Sequence, residues 1–534
     1  LIKILGFQSG HDVSYCVLEN GVPIIHEELE RFTREKEPLG DGLKMAFEML
    51  GSKDMNEMKY FTLGNWGMFQ PKNGKYYKNC YHQDTVDKMN TIIDKNNGEF
   101  FELGHHQSHA ANGFFSSNFD EALIVTMDGG GTEDNGTQTT FTVWVGKDNK
   151  ITNIEVFPMN KINIGNVWDD VTRHIFGLSI GHPYGSQVGT VMGMACLGDS
   201  EKFYRQFYRY FKGGTGVNFR KLKKHIRHNE QNAFDVAAGL QAGTEKFTRE
   251  IMTPFVEKYK LKKLCLSGGV ALNSVMVGKM YEWFDGIVDE IYVDPIPYDG
   301  GLSLGSARYI WHHVLDNPRI EWKDNSSSYL GRTYDEKNIK DELNKRIDKL
   351  QYKVVNDDDV VDLLLKDDNV ISVFGGGSES GRRALGNRSI LADPRSPKMK
   401  DIINKKVKHR QWFRPFAPSV LREDVSDWFE RDVDSPYMTT VIQFKEDKMD
   451  KVPAVVHHDG SARLQTVTEN DNKWYYNFIK KFKEKTNVPI ILNTSFNDRE
   501  PIVETPENAI NCFMGTDIDY LYFYDCNILV EIKK

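Results

Sequence analysis

Cysteine is scarce and scattered in this 534-residue chain: Cys16, Cys80, Cys196, Cys265, Cys512 and Cys526 form no C-x-x-C pair. That spacing excludes a disulfide-dense scaffold and a paired-cysteine zinc module, and it suits reduced thiols. Long apolar runs are absent too. No stretch reaches the ~18 residues of a membrane span, and the apolar start at 1–7 is too short for a signal-peptide core. A cytoplasmic protein with no membrane partner is expected, and the missing initiator Met implies that a few N-terminal residues precede it. Positive charge is not in excess, the formal net charge being −8, so small anionic substrates need local arginines. No G-x-x-x-x-G-K-[ST] run exists, which excludes a P-loop.

What is present, 40% hydrophobic and 27% charged residues, is the composition of a folded globular protein, and the length calls for two or more domains. Short apolar-rich segments at 2–7, 14–18 and 22–26, with turns at Gly10 and Asn20-Gly21, predict three strands. The same order returns at 122–127, 139–145 and 151–157, again with a glycine turn, Gly129 to Gly131, near the first strand. Two such copies point to a duplicated α/β ATPase of the actin and sugar-kinase type, expected over 1–320. A polar stretch over 321–350 reads as a linker or surface helix. Strands near 370–374, 438–444 and 488–492 and a helix over 474–485 make 351–534 a second, smaller α/β domain.

In Gly104-His105-His106-Gln107-Ser108-His109, the two outer histidines lie four residues apart, so on a helix both rings leave one face and can share a metal. The bland alternative is a pair of surface or packing histidines. Asp128 and Asp299, each at a strand end beside glycines, suit ligand loops or plain turns. Ser267-Gly268-Gly269-Val270-Ala271-Leu272-Asn273 follows an apolar strand and opens a helix, a setting in which Ser267, Gly268, Gly269 and Asn273 could receive phosphate or ribose. Gly10-His11-Asp12 and Gly193-Met194-Ala195 read as further loops.

Residues 381–414 are dense in arginine and lysine, interleaved with the apolar Ala384-Leu385 and Phe416-Ala417. A charge run is commonly a solvated face, but arginines within packed loops suit bidentate anion binding. Asn493-Thr494-Ser495-Phe496-Asn497 and the segment 457–463 add polar side chains at turn-like positions.

Taken in order, these motifs resemble the carbamoyltransferases of nodulation-factor and aminoglycoside-antibiotic biosynthesis. With them belong Arg383-Ala384-Leu385-Gly386-Asn387-Arg388-Ser389 and Arg414-Pro415-Phe416-Ala417-Pro418. The resemblance implies a first domain like the tRNA-threonylcarbamoylation ATPase and a second that forms carbamoyl-adenylate. It implies a metal, iron or another divalent ion, on His105, His109, Asp128 and Asp299. It implies His11 and Lys36 near the transfer chemistry and nucleotide phosphates, with Asp12 orienting His11. ATP, with Mg, and carbamoyl phosphate are the implied co-substrates, the latter held by Arg383, Lys408, Arg414, Arg463 and Ser495, with Asn493 alongside. One departure is visible: relatives of this type read Gly-Arg-x-Glu where this chain has Gly376-Gly377-Ser378-Glu379, and Arg382 is the nearest substitute.

The implied acceptor is a hydroxyl on a sugar or other small metabolite, and the resemblance also leaves room for hydroxymethylpyrimidines of modified DNA. Residues 219–228 (FRKLKKHIRH) are the most basic segment of the first domain, either a solvated helix or a grip for phosphates. Two other readings of the scaffold stand beside this one: a sugar-kinase-like phosphotransferase and a non-catalytic, nucleotide-binding tRNA-modification protein.

Overall fold

Strand β1 (Lys3–Gln8) hairpins into β2 (Ser14–Glu19) and that into β3 (Val22–Glu28), all antiparallel. The Asn20-Gly21 link holds positive φ at both residues, the geometry that matches strand twist. The computed structural model describes residues 1–65, 82–180, 185–212, 217–320 and 328–533. Two further strands, β4 (Tyr60–Leu63) and β5 (Glu99–Glu102), add in parallel beside β1, giving the order β3-β2-β1-β4-β5.

The second sheet repeats this plan. β6 (Glu121–Thr132), β7 (Gln138–Lys147) and β8 (Lys150–Pro158) are antiparallel, and β9 (Lys263–Ser267) and β10 (Glu290–Val293) join in parallel, in the order β8-β7-β6-β9-β10. Three antiparallel strands followed by two parallel ones, twice over, is the duplicated actin and sugar-kinase plan. Helices His105–Phe115 and Leu302–Tyr309 pack on each other between the sheets' connections. Their approach is close because Gly305 has no side chain: a Cβ there would lie 2.0 Å from the Ser108 carbonyl oxygen.

The chain divides into Leu1–Ser327 and Ser328–Lys534. The second unit is one nine-stranded mixed sheet. Its strands are β11 (Leu350–Val354), β12 (Val370–Phe374), β13 (Arg388–Ala392), β14 (Ala417–Leu421), β15 (Thr440–Gln443), β16 (Ser461–Val467), β17 (Ile490–Ser495), β18 (Tyr520–Phe523) and β19 (Ile528–Ile532). They run in the order β11-β19-β18-β12-β13-β17-β14-β16-β15. β12, β13 and β14 are buried throughout; β12 and β14 are mostly apolar, and in β13 the buried Arg388 donates to the Gly375 and Asn387 carbonyls. Of the stretch expected as a linker, 321–327 lies outside the described residues and 328–350 belongs to this unit. Asp335 caps a helix over Glu336–Asn344 whose Ile339 and Leu343 are buried, and the Gly331 amide donates to the Ser378 carbonyl. Among the described residues no helix is long and apolar enough to cross a membrane.

Candidate functional sites: a histidine–aspartate cluster and an arginine cluster

In the first unit, His105 and His109 project from the first turns of their helix toward Asp128 and Asp299, and the four ligand atoms lie within 4.8 Å of one another. Asp128 arrives there through a bulge: pairing of β6 with β7 shifts between Met127 and Gly131, which turns the aspartate out of the ladder. His105 Nε2 is 3.1 Å from Asp128 Oδ2 and 3.6 Å from Asp299 Oδ1; His109 Nε2 is 3.8 Å and 3.4 Å from the same two atoms.

The donor set fits a divalent cation. His109 Nε2 is buried and has no hydrogen bond. Separations of this size are what two ligands, each roughly 2.1 Å from one ion, leave between them. Imidazole and carboxylate together suit first-row divalent metals, iron among them. Without a cation the charges pair among themselves. Burial works against charge on both groups. Even so, the two carboxylates push His109 up to about 9, and the two histidines hold Asp128 well below the usual carboxylate range.

Glycines and buried polar groups fix this geometry. Asp128 Oδ1 accepts a 2.8 Å hydrogen bond from the Gly269 amide. That amide belongs to the loop expected to meet a nucleotide, and it orients the aspartate, because β9 runs parallel beside β6 and ends at Ser267 opposite Thr126, two residues before Asp128. In the same segment Ser267 is buried with its hydroxyl 3.4 Å from the Pro297 carbonyl, and Asn273 caps the helix Ser274–Trp283 while pairing with Gln241. Gly268, at φ +86°, lies so near Met127 that a Cβ would be 2.1 Å from its carbonyl oxygen. On the Asp299 side, the Gly300 carbonyl accepts from Ser14 Oγ at 2.8 Å and contacts His26 Nε2 at 2.9 Å, and Tyr298 donates to Glu28. Gly193 and Met194, expected in a loop, lie in the helix Val188–Ala195.

His11 sits at the edge of the cluster, with Nδ1 3.1 Å from Asp12 Oδ2 and Nε2 3.5 Å from Asp299 Oδ2. Burial opposes its protonation, but Asp12, Asp299 and Asp128 prevail and push it up to about 10. Lys36 lies half-buried after the short helix Glu30–Thr33 and is not one of the clustered four.

The second unit gathers cations. Arg463, on β16, is half-buried with its Nε fully enclosed, and desolvation together with the charges of Arg383, Arg410 and Arg414 drives its pKa well below the usual arginine range. Burial, then Arg414, does the same to Arg410, and burial lowers Arg414. Arg410 was not singled out by sequence because it stands inside a long basic run; its spacing of four from Arg414 was the available signal. Asn404 organises this loop, accepting from Arg410 Nε at 2.7 Å and donating to the Arg414 carbonyl at 3.0 Å. His457, half-buried near Arg463, is pushed down to about 4 by desolvation, which outweighs Asp459.

Lys408 and Ser495 do come together, but within a loop lock. Lys408 Nζ donates to the Ser495 carbonyl, to the Asn497 carbonyl at 2.7 Å and to Asn497 Oδ1 at 2.6 Å. Asn493 bridges strands and loop, donating to the Ala384 carbonyl and to Gln465. At the position of the missing arginine, a Cβ on Gly377 would lie 2.4 Å from the Tyr329 carbonyl oxygen, so no side chain fits there.

Comparison with known proteins matches the two halves separately. Residues 64–308 match the carbamoyltransferase N-terminus family and residues 363–529 the carbamoyltransferase C-terminus family. An uncharacterised protein of Synechocystis sp. is 32% identical over 98% of this chain and 95% of its own length. Nodulation protein NolO of Bradyrhizobium diazoefficiens is 34% identical, covering 78% of this chain and 77% of its own. Among solved structures, full-length HypF in its phosphate- and nucleotide-bound form is 13% identical, covering 60% of this chain and 56% of its own, at a TM-score of 0.38.

Proposed function

From the premise that this chain belongs to the carbamoyltransferase family, matched in both its halves, we propose that it is an ATP-dependent O-carbamoyltransferase working through a carbamoyl-adenylate. The observation that carries the reading is the presence of two unlike sites in one chain: a histidine–aspartate cluster in the first unit and an arginine cluster in the second.

In the second unit, carbamoyl phosphate and water give carbamate and phosphate. A carbamate oxygen then attacks the α-phosphorus of ATP, and pyrophosphate leaves. Every species in that step is anionic, so the positive potential of Arg383, Arg410, Arg414 and Arg463 stabilises the crowded transition state. Carbamate is short-lived in water, which requires the two reactions to share one closed pocket.

In the first unit, the acceptor hydroxyl oxygen attacks the carbamoyl carbonyl, the bond to the adenylate oxygen breaks, and AMP departs. A divalent cation, with iron the expectation, supplies Lewis acidity and a fixed point for phosphate when bound by His105, His109, Asp128 and Asp299. His11 Nε2 faces this cluster and takes the hydroxyl proton, with Asp12 holding Nδ1. Once Asp128 and Asp299 are neutralised by a bound cation, His11 loses the pull that otherwise keeps it protonated.

Product analysis tests the proposal. With carbamoyl phosphate and ATP, AMP and pyrophosphate accumulate, and an acceptor gains one carbamoyl group by mass spectrometry. ADP as the sole nucleotide product would replace this reading with a sugar-kinase-like phosphotransfer; nucleotide binding without turnover would favour the scaffold reading.

A further inference from the structure

Outside both sites, one surface departs sharply from the acidic balance of the chain. Residues 200–228 carry nine lysines and arginines against a single glutamate, while the whole chain has a net charge of −8. Two helices, Tyr204–Phe211 and Phe219–Ile226, hold these cations. They form an antiparallel hairpin: Phe203 meets His225 at 5.5 Å between ring centroids, and Tyr210 meets Phe219 at 6.0 Å. The hairpin's apolar side is spent. Phe207, Phe211 and Leu222 are buried, and Phe211 stacks on Phe247 of the long helix Glu230–Tyr259.

What remains outward is charge. Arg209, Arg220, Lys221, Lys223, Lys224 and Arg227 are exposed. Among the described residues none of these six is in an ion pair, whereas Lys202 and Lys212 are neutralised by Asp235 and Glu250. Lys246 of the long helix adds a further cation, its Nζ 5.5 Å from the rings of both Tyr204 and Tyr208, which are one helical turn apart.

The hairpin is also tied to the histidine–aspartate cluster. Phe219–Ile226 packs on the segment Val171–Phe176, the direct continuation of the helix Ile164–Asp170. Gly165 of that helix lies against the backbone of Asp128 and Gly129, and Asn166 donates to the Gly129 carbonyl. At 1.5 Å per residue, this places the basic surface roughly 20 Å from Asp128.

We infer that this basic hairpin is a docking surface for a polynucleotide, held beside the histidine–aspartate cluster. Six exposed, unneutralised cations on one helix pair suit the closely spaced phosphates of a sugar–phosphate backbone. An anionic bilayer fits less well, because a membrane-surface helix needs large apolar groups facing the acyl chains. No large hydrophobic side chain is exposed among the described residues of 200–228. The inference rests on the proposed transfer reaction only for why a partner should be held there; binding itself is independent of it.

Fluorescence anisotropy of the full chain with labelled oligonucleotides, single-stranded and duplex, DNA and RNA, tests it. At least one of these binds, and affinity falls by about 10³ between roughly 50 and 200 mM salt if all six cations meet phosphates. The triple variant Lys221→Glu, Lys223→Glu, Lys224→Glu weakens binding at least tenfold and flattens the log–log salt slope by about three. Pyrophosphate release from ATP and carbamoyl phosphate in the same variant reports on the second unit and stays unchanged. Failure of every oligonucleotide to bind, equal binding by wild type and variant, or tighter binding to phosphatidylserine vesicles than to any oligonucleotide overturns the inference. Hairpin-dependent binding without any AMP production upholds this surface and defeats the proposed reaction instead.

Discussion

The substitution Gly131→Ala probes the metal geometry without touching a ligand. A Cβ at position 131 would lie 2.0 Å from His105 Cγ and 2.4 Å from both Cβ and Cδ2 of that residue. Ordinary contact begins near 3.4 Å, so the shortfall is about 1.4 Å. Rotating the histidine about χ1 does not relieve it, because His105 Cβ is itself too close. The start of the helix must move, yet Glu133 bonds the His106 amide at 2.8 Å and holds it. Overpacking of this kind costs about 1–3 kcal/mol. Ligand distances tolerate only about 0.2 Å, so His105 leaves the cluster's working range and metal affinity drops by roughly 10–100-fold. Gly189→Ala is the matched control: it lies in the helix Val188–Ala195 with nothing within 4 Å of a new Cβ. That change is neutral or stabilises by up to about 1 kcal/mol. Metal content after dialysis and denaturant unfolding, measured on both variants, decide the matter. Wild-type metal affinity in Gly131→Ala would refute the reasoning.

Three further outcomes are expected. Lys408→Met leaves the Ser495 and Asn497 acceptors without their ammonium and costs about 1–3 kcal/mol in urea unfolding; an unchanged midpoint would show that the loop is held by other means. Arg463→Met removes a half-buried charge crowded by Arg383, Arg410 and Arg414, so it raises stability by about 1–4 kcal/mol while abolishing protection by phosphate or pyrophosphate in thermal melts; a destabilised variant that still responds to phosphate would contradict this. His26 and His312 are held down to about 4 and about 3, chiefly by burial, so both fold as neutral rings. Their stabilisation is complete above the unfolded value near 6.5 and is lost as pH falls, at about 2 kcal/mol per histidine between pH 6.5 and 5. His26→Gln with His312→Gln therefore flattens the acid limb of a stability-versus-pH curve, and an equally steep limb would count against it.

The longer strands were legible because each is a run rich in apolar and β-branched residues between clear turns: 2–7 and 151–157 differ from β1 and β8 by a residue or so at each end. β4 and β5 were not, since four residues give too little period to separate a strand from a loop. His105 and His109 could be paired from helical geometry alone, and Asp128 and Asp299 from their glycine-flanked settings. What no sequence pattern carried was the job of Gly269, which depends on β9 lying beside β6. Arg410 was hidden for a different reason. Every residue in a basic run looks alike until burial distinguishes those that face one another from those that face water.

The two sites use opposite electrostatics, and this difference bears on how each is kept folded. The first contains two imidazoles and two carboxylates whose charges offset one another although His109 Nε2 has no hydrogen bond, so a cation must displace protons to enter. The second gathers like charges at half-buried positions, where burial and neighbouring arginines lower the arginine pKa values, so a bound anion stabilises it. An anion bound at 100 times its dissociation constant returns about 2.7 kcal/mol to the folded state. The second unit should therefore respond to phosphate-bearing ligands more strongly in stability than the first responds to loss of its metal.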